Sequence, residues 1–277
     1  MDRRALLAAA AAGALAAPAA LTARQRHDQS AGEVRAAATG GVPPLGCRQL
    51  IWSVPTAAPL VALTFDDGPD PELTPRILAV LDRHGVRATF NVMGHNALRH
   101  PDLLRAVVRA GHELGNHTLT HQDLAFQSEA ATRRQLEGGQ RAIEQVAGVR
   151  PRFFRPPRGE LTGSAVQVAA ELGCDVLLWS VTRGPGRVGT PATVVRSVAA
   201  AAAPGAVVAL HDGIGRGTFR PGGAEARLLR ARRSVEVAAL PAVIQALAGR
   251  GLRCTTASAL LASAQVASAA SPPAATT

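Results

Sequence analysis

The sequence predicts an α/β protein in which one parallel sheet closes into a (β/α)7 barrel. Two observations carry that expectation: short apolar, strand-like runs alternate with helix-like amphipathic segments, and roughly seven such strand–helix units follow one another. A third bears on closure. No glycine-rich nucleotide loop follows the first strand, as the alternative, an open doubly wound sheet, would suggest.

Residues 60–65 read as the first strand, and 72–84 as a helix with Ile77, Leu78 and Leu81 on one face. Residues 87–92 form the next strand and 101–110 the next helix. Helix-like segments at 128–146, 164–172 and 193–202 alternate with strand-like segments at 153–156, 175–181 and 206–210. A last helix, 234–248, precedes a strand at 252–255. In barrels of this kind the reactive groups sit at the carboxyl ends of the strands, where the residues singled out below fall.

The chain of 277 residues, 47% hydrophobic, is long enough for a substantial core. The regions expected are a signal peptide at 1–23, a flexible linker at 24–45, a single domain at 46–262 and a disordered tail at 263–277. Arg3 and Arg4 before an alanine-rich apolar run, then Ala17-Pro18-Ala19, suggest export, by the twin-arginine or the ordinary route. The run is too short and alanine-rich to span a membrane, so no stable span is expected after cleavage.

The net charge is +10, and every basic residue other than histidine is arginine. The arginines are spread along the chain and aromatics are only 3%, which argues against nucleic acid as partner. Attraction to anionic cell-wall polymers or a membrane surface is expected instead. Cys47, Cys174 and Cys254 lie far apart without metal-like spacing; a Cys47 bridge is open, while Cys174 and Cys254 read as buried small residues.

Asp66 and Asp67 close the run Leu63-Thr64-Phe65-Asp66-Asp67-Gly68-Pro69. Paired carboxylates repel, so a fold keeps two at a strand tip where a cation or a proton-transfer role compensates them; the alternative is a solvated turn. His117 and His121, four residues apart, either aim two rings at one point from a helical turn or a tight loop, or are a pair of surface histidines. No glutamate follows His117, so another carboxylate must act as base. One aspartate can complete a His/His/Asp site while the other takes a proton from water.

Phe153-Phe154-Arg155-Pro156-Pro157-Arg158-Gly159 puts Arg155 at a strand end, where it can hold the free aspartate ionised or stand as a surface arginine on a rigid proline turn. A backbone N–H beyond the prolines can receive an oxyanion. His211, at the end of Val207-Val208-Ala209-Leu210-His211, can protonate a leaving group or be a hydrogen-bonded core histidine.

In this order, TFDDGP, HTLTH, FRPPRG, a strand containing LLW, and ALHDG resemble the polysaccharide deacetylase family, also called the NodB-homology domain or carbohydrate esterase family four, over about residues 61–261. The resemblance implies a distorted (β/α)7 barrel and metal-dependent removal of acetyl groups from N-acetylated or O-acetylated glycans. It implies Asp67, His117 and His121 as metal ligands, Asp66 as catalytic base, His211 as catalytic acid, Arg155 as the arginine orienting the base, and the Arg158 N–H as oxyanion donor. Zinc is the expected metal, with cobalt, nickel or iron compatible with the donor set. The expected partner of this presumed monomer is acetylated polysaccharide, peptidoglycan or chitin-like, met outside the cell or at the wall.

The chain departs from the family where an acidic residue and an Asp-Trp pair usually follow Trp179: here Ser180-Val181-Thr182-Arg183-Gly184 stands. The expected consequences are an Arg155 without its anchor and an acetate pocket open on one side. Ala209 in place of a larger aliphatic residue and Arg158 in place of tyrosine point to a wider, more cationic pocket. Two other functions fit the pattern: a non-catalytic glycan binder on the same scaffold, and a metal-dependent hydrolase of a non-sugar amide.

Overall fold

The computed structural model describes residues 49–184, 188–215 and 223–269. The expected signal peptide, linker and Cys47 lie outside the described residues. In chain order the elements are β1 (Leu50–Ile51), β2 (Leu60–Asp66), α1 (Thr74–Arg83), β3 (Thr89–Val92), α2 (Gly94–Arg99), α3 (Pro101–Arg109), β4 (Glu113–Asn116) and α4 (Glu129–Ala147). There follow β5 (Phe153–Phe154), α5 (Gly163–Glu171), β6 (Asp175–Leu177), β7 (Val181–Thr182), α6 (Pro191–Ala201), β8 (Val207–His211), α7 (Ala224–Gly249), β9 (Arg253–Thr255) and α8 (Ala257–Ala269).

The strand order is β1-β6-β5-β4-β3-β2-β8-β7, with β9 on β2, and every strand pair is parallel. The predicted run 175–181 is broken in two: β6 pairs with β5, and β7 pairs with β8. Because only three residues separate them, and the Ser180 N–H already reaches Val207 O, this run closes the ring into a distorted barrel. Ala62 pairs with both β8 and β9, so β9 occupies the edge of β2 that β3 reaches further along.

Side chains alternate across a strand, so residues two apart share a face. Val61, Leu63 and Phe65 of β2 pack outward with Ile77 and Leu81 of α1, Val194 and Val198 of α6, and Leu240 and Val243 of α7. Ala62 belongs to a second cluster with Phe153, Leu177 and Val207, plugged from below by Ala257, Leu260 and Leu261 of α8. One step up each strand from that plug come Thr64, Arg155 and Ala209, and the next inward positions on β2 and β8 are Asp66 and His211. The odd–even pattern that buries the plug therefore also delivers the reactive groups to the open end.

Helix boundaries follow their capping residues. The Ser128 hydroxyl accepts from Ala131 N–H to start α4, and Gly148, at φ 65°, ends it. Thr190 and Thr193 form a capping box with Pro191 in the first turn of α6.

Sequence periodicity did not indicate β1, β4 or α2. β4 reads Glu-Leu-Gly-Asn, with a single apolar residue. The last long helix begins at Ala224 rather than 234, since its arginine-rich first half lacks an apolar stripe but is made of good helix formers. The chain is helical to Ala269, past the boundary expected at 262, because α8 caps the barrel with its buried Leu260 and Leu261. Residues 270–277 lie outside the described residues. Cys174 and Cys254 are free thiols, and burial pushes their pKa up to about 11 and about 12, which leaves them unreactive.

α4 lies against the loop that follows β4. A Cβ on Gly139 would stand 2.3 Å from Asn116 Oδ1 and 2.8 Å from the Thr118 carbonyl carbon. Gly139→Ala is expected to destabilise the protein by about 1–3 kcal/mol through overpacking and to weaken metal binding, since the loop carries His117 and His121. Denaturant titration and zinc calorimetry on the same variant check both effects.

Candidate active site

Asp66 ends β2 beside Asn91 of β3 on one side and His211 of β8 on the other, each its register partner. Its Oδ1 accepts from Asn91 Nδ2 and from Arg155 Nη1, both at 2.7 Å. Gly115, the neighbour of Asn91 on β4, makes room for that reach: a Cβ there would lie 2.2 Å from Asn91 Oδ1. Burial alone would raise the Asp66 pKa, but Arg155 first, then His117 and His211, outweigh it and hold the carboxyl below its ordinary value.

Arg155 is 0% exposed. Its Nε donates to Leu177 O at 2.8 Å, Nη2 to Leu178 O at 2.9 Å, and Nη1 also to Thr64 Oγ1 at 2.7 Å. The expectation that Arg155 lacks an anchor is therefore corrected: backbone carbonyls at the end of β6 do what a missing side chain was expected to do. Arg155 lies beneath Asp66, outside the cavity lining, so it holds and charges the carboxylate rather than touching a reactant.

Asp67 has φ 79°, a left-handed conformation uncommon for a residue with a side chain, and it turns the second carboxylate away from the first. Its Oδ1 lies 3.5 Å from His117 Nε2 and 3.3 Å from His121 Nε2, and this buried oxygen has no hydrogen-bond partner. The histidines sit in a tight loop, not a helical turn, with Thr118 and His121 also left-handed. Gly94 and His95 N–H at the start of α2 donate to Thr118 O and Leu119 O, and Gln135 Oε1 accepts from Thr120 N–H.

His117 Nδ1–H donates to Arg155 O at 2.8 Å, which leaves Nε2 facing Asp67 as an acceptor. Burial lowers His121 to about 4, keeping it neutral. Burial would lower His117 too, yet the Asp67 and Asp66 carboxylates raise it, so the cluster draws a positive charge. An orphaned carboxylate oxygen and two Nε2 atoms converging on one point suit a divalent cation. Asp67 Oδ2 is separately held by Arg233 Nη2 at 3.1 Å.

His211 Nδ1–H donates to Glu236 Oε2 at 2.9 Å. Glu236, on α7, is 1% exposed. Its Oε1 faces Arg183 Nε at 3.2 Å and Arg233 Nη1 at 3.4 Å. Asp212, next along, accepts from Gly68 N–H and the Thr74 hydroxyl; burial, opposed by Thr74 and reinforced by Asp67 and Asp66, pushes it up to about 8.

A cavity of about 220 Å³ opens above these groups. Asp66, Asp67, His117, His121 and His211 line its floor, and Arg158, Trp179, Leu229 and Arg233 its walls. Arg158, at φ 58°, pairs through Nη1 with Asp123 at 3.1 Å. Trp179 stacks over Gly159, where a Cβ would come within 2.7 Å of the ring. Ala209 stands beside Thr64, one layer beneath, and is absent from this lining. Sequence reading missed Asn91, Arg233 and Glu236. The signal available was polarity out of place: Asn91 within a buried strand, and Glu236 as the sole carboxylate of the apolar stretch 234–248.

The polysaccharide deacetylase family model matches residues 53–177. Two Bacillus cereus proteins named peptidoglycan-N-acetylglucosamine deacetylase are similar. One is 34% identical over 76% of this chain and 92% of its own length; the other is 38% identical over 55% of each. This chain belongs to the polysaccharide deacetylase family. A chitooligosaccharide deacetylase of Bradyrhizobium is 40% identical over 69% of the chain and 85% of that protein. A crystal structure of a peptidoglycan N-acetylglucosamine deacetylase superposes with TM-score 0.68 at 32% identity, over 76% of this chain and 92% of that one. The deacetylase barrel is thus the fold of this protein, and the carbohydrate deacetylases are its family.

Removing Arg155 strands a buried carboxylate. Arg155→Ala is expected to cost about 3–5 kcal/mol in denaturant unfolding, and Asp66→Asn, which keeps an acceptor for Arg155, clearly less. Because a proton on His117 competes with a cation, zinc affinity measured by calorimetry is expected to rise with pH through the raised His117 pKa.

Proposed function

We propose that this protein is an exported, metal-dependent hydrolase that removes acetyl groups from an N-acetylated glycan, peptidoglycan or a chitin-like chain. The observation that carries the reading is the convergence of Asp66, the Asp67/His117/His121 cluster and His211 on one cavity. Relatives named for peptidoglycan and chitooligosaccharides support the substrate class. The basic chain is suited to an anionic wall, and among the described residues no helix is long and apolar enough to cross a membrane.

Asp67, His117 and His121 would hold the metal, which when bound supplies Lewis acidity towards the acetyl oxygen and towards water. Asp66, ionised and gripped through Oδ1, accepts the proton of the attacking water. The backbone N–H of Arg158 stabilises the charge that develops on the carbonyl oxygen. His211 then delivers a proton to the sugar nitrogen as the C–N bond breaks, so that acetate and a free amine leave. Arg155 acts through Asp66, lowering its pKa and fixing its direction.

Acetate release from peptidoglycan, chitooligosaccharides and acetylxylan, with zinc added and after chelation, tests the reading. Zinc-dependent release from an N-acetylated glycan is expected, and Asp66→Asn should lower it about 100-fold or more while zinc still binds. A zinc-loaded protein that releases no acetate from the panel overturns the proposal. Turnover confined to small acyl amides would move the activity to a non-sugar amide.

A further inference from the structure

The stretch after Trp179 brings an arginine, Arg183, towards the site where an acidic residue was expected, yet His211 does not lack a carboxylate. One arrives from a different part of the chain. Glu236 projects from α7, 25 residues beyond His211, and is 1% exposed. Its two oxygens have separate tasks. Oε1 lies 3.2 Å from Arg183 Nε and 3.4 Å from Arg233 Nη1, whereas Oε2 accepts from His211 Nδ1–H at 2.9 Å.

Two cations on one oxygen keep the carboxylate ionised and fix its plane. Arg183 is itself tied to Val188 O, and Arg233 to Gly213 O and Asp67 Oδ2. Burial would raise the Glu236 pKa, but His211, Arg233 and Arg183 together hold it below its ordinary value. A carboxylate needed only to balance two arginines would have no reason to spend its second oxygen on an imidazole in the cavity floor.

We propose that Glu236 is the positioning residue for His211, fixing the ring through Nδ1–H so that Nε2 alone faces the leaving group, with Arg183 and Arg233 as its clamp. The inference rests on the deacetylase reading for the identity of that leaving group. In the step concerned the C–N bond breaks, its electron pair passes to nitrogen, and nitrogen takes the Nε2 proton. His211 is left neutral with its remaining proton on Nδ1, facing Glu236. Arg233 has a second consequence. By touching both Glu236 Oε1 and Asp67 Oδ2 it ties the acid side of the cavity to the candidate metal side.

Two measurements on the full chain test this. The first needs no variant of Glu236: nitrogen NMR of the zinc-loaded protein labelled in histidine, with His211 assigned by the signal lost in His211→Ala. At a pH where His211 is neutral the Nδ1–H tautomer is expected, and the Nε2–H tautomer overturns the proposal. The second compares leaving groups. An amine must be protonated to depart and a 4-nitrophenolate need not be. Glu236→Gln is therefore expected to lower kcat on an N-acetylated chitooligosaccharide about 10- to 100-fold with KM nearly unchanged, and to leave 4-nitrophenyl acetate hydrolysis within about threefold.

In the His211→Ala background the same change should cost nothing further on the amide. Equal losses on amide and ester, or an undiminished loss without His211, would show a purely structural role. If Glu236→Gln does not fold, the tautomer decides. A wild-type protein without acetate release fails the deacetylase reading, but the tautomer still judges Glu236.

Discussion

The contact between Arg155 and Asp66 sets the terms for everything above it in the barrel. A guanidinium with no exposed surface is costly to bury, and it is sustained here by two backbone carbonyls, a threonine hydroxyl and one carboxylate. That carboxylate is in turn kept ionised at the end of a strand whose other inward residues are Leu60, Ala62 and Thr64. The pair divides the barrel interior into an apolar plug below, closed by α8, and a polar floor above. Breaking it would leave one buried charge unanswered and free the proposed proton acceptor from its place at once.

Charge in the floor is arranged in linked pairs rather than as a single field. Arg155 answers Asp66, and Arg233 answers Asp67 through one oxygen, leaving the other for the point on which His117 and His121 converge. Glu236 answers Arg183 and Arg233 and directs His211. Because Arg233 belongs to two of these pairs, α7 is part of the site as well as part of the barrel wall. The cavity wall carries Arg158, paired with Asp123, as sequence suggested, and a second arginine that sequence did not indicate, Arg233 of α7, which stands against the candidate metal cluster.

Backbone strain marks the same region. Asp67, Thr118, His121 and Arg158 are the non-glycine residues with positive φ among the described residues, and all four lie in the loops around the cavity. Such conformations persist where surrounding contacts over-determine them, as the hydrogen bonds from α2 and Gln135 do for the histidine loop. Glycines make those contacts possible by close approach: Gly115 admits Asn91, and Gly139 admits the loop after β4.

Sequence alone determined the alternation of strands and helices and the (β/α)7 class, and it singled out Asp66, Asp67, His117, His121, Arg155 and His211, which the structure brings to one end of the barrel. These are legible because they are local: a period, a cap, or reactive residues a fixed few positions apart at a strand end. It did not reveal β4, whose four residues contain one leucine, or the start of α7, whose arginines hide its helical period. Nor could it show that backbone carbonyls of β6 hold Arg155, or that Asn91, Arg233 and Glu236 belong to the site. Those contacts join residues 22 to 166 positions apart in the chain. Their partners are chosen by which strand lies beside which and by where α7 crosses the open end, and no spacing along the chain carries that information. Only the closed barrel decided it, because burial in a shared low-dielectric floor is what forces each of these charges to find another.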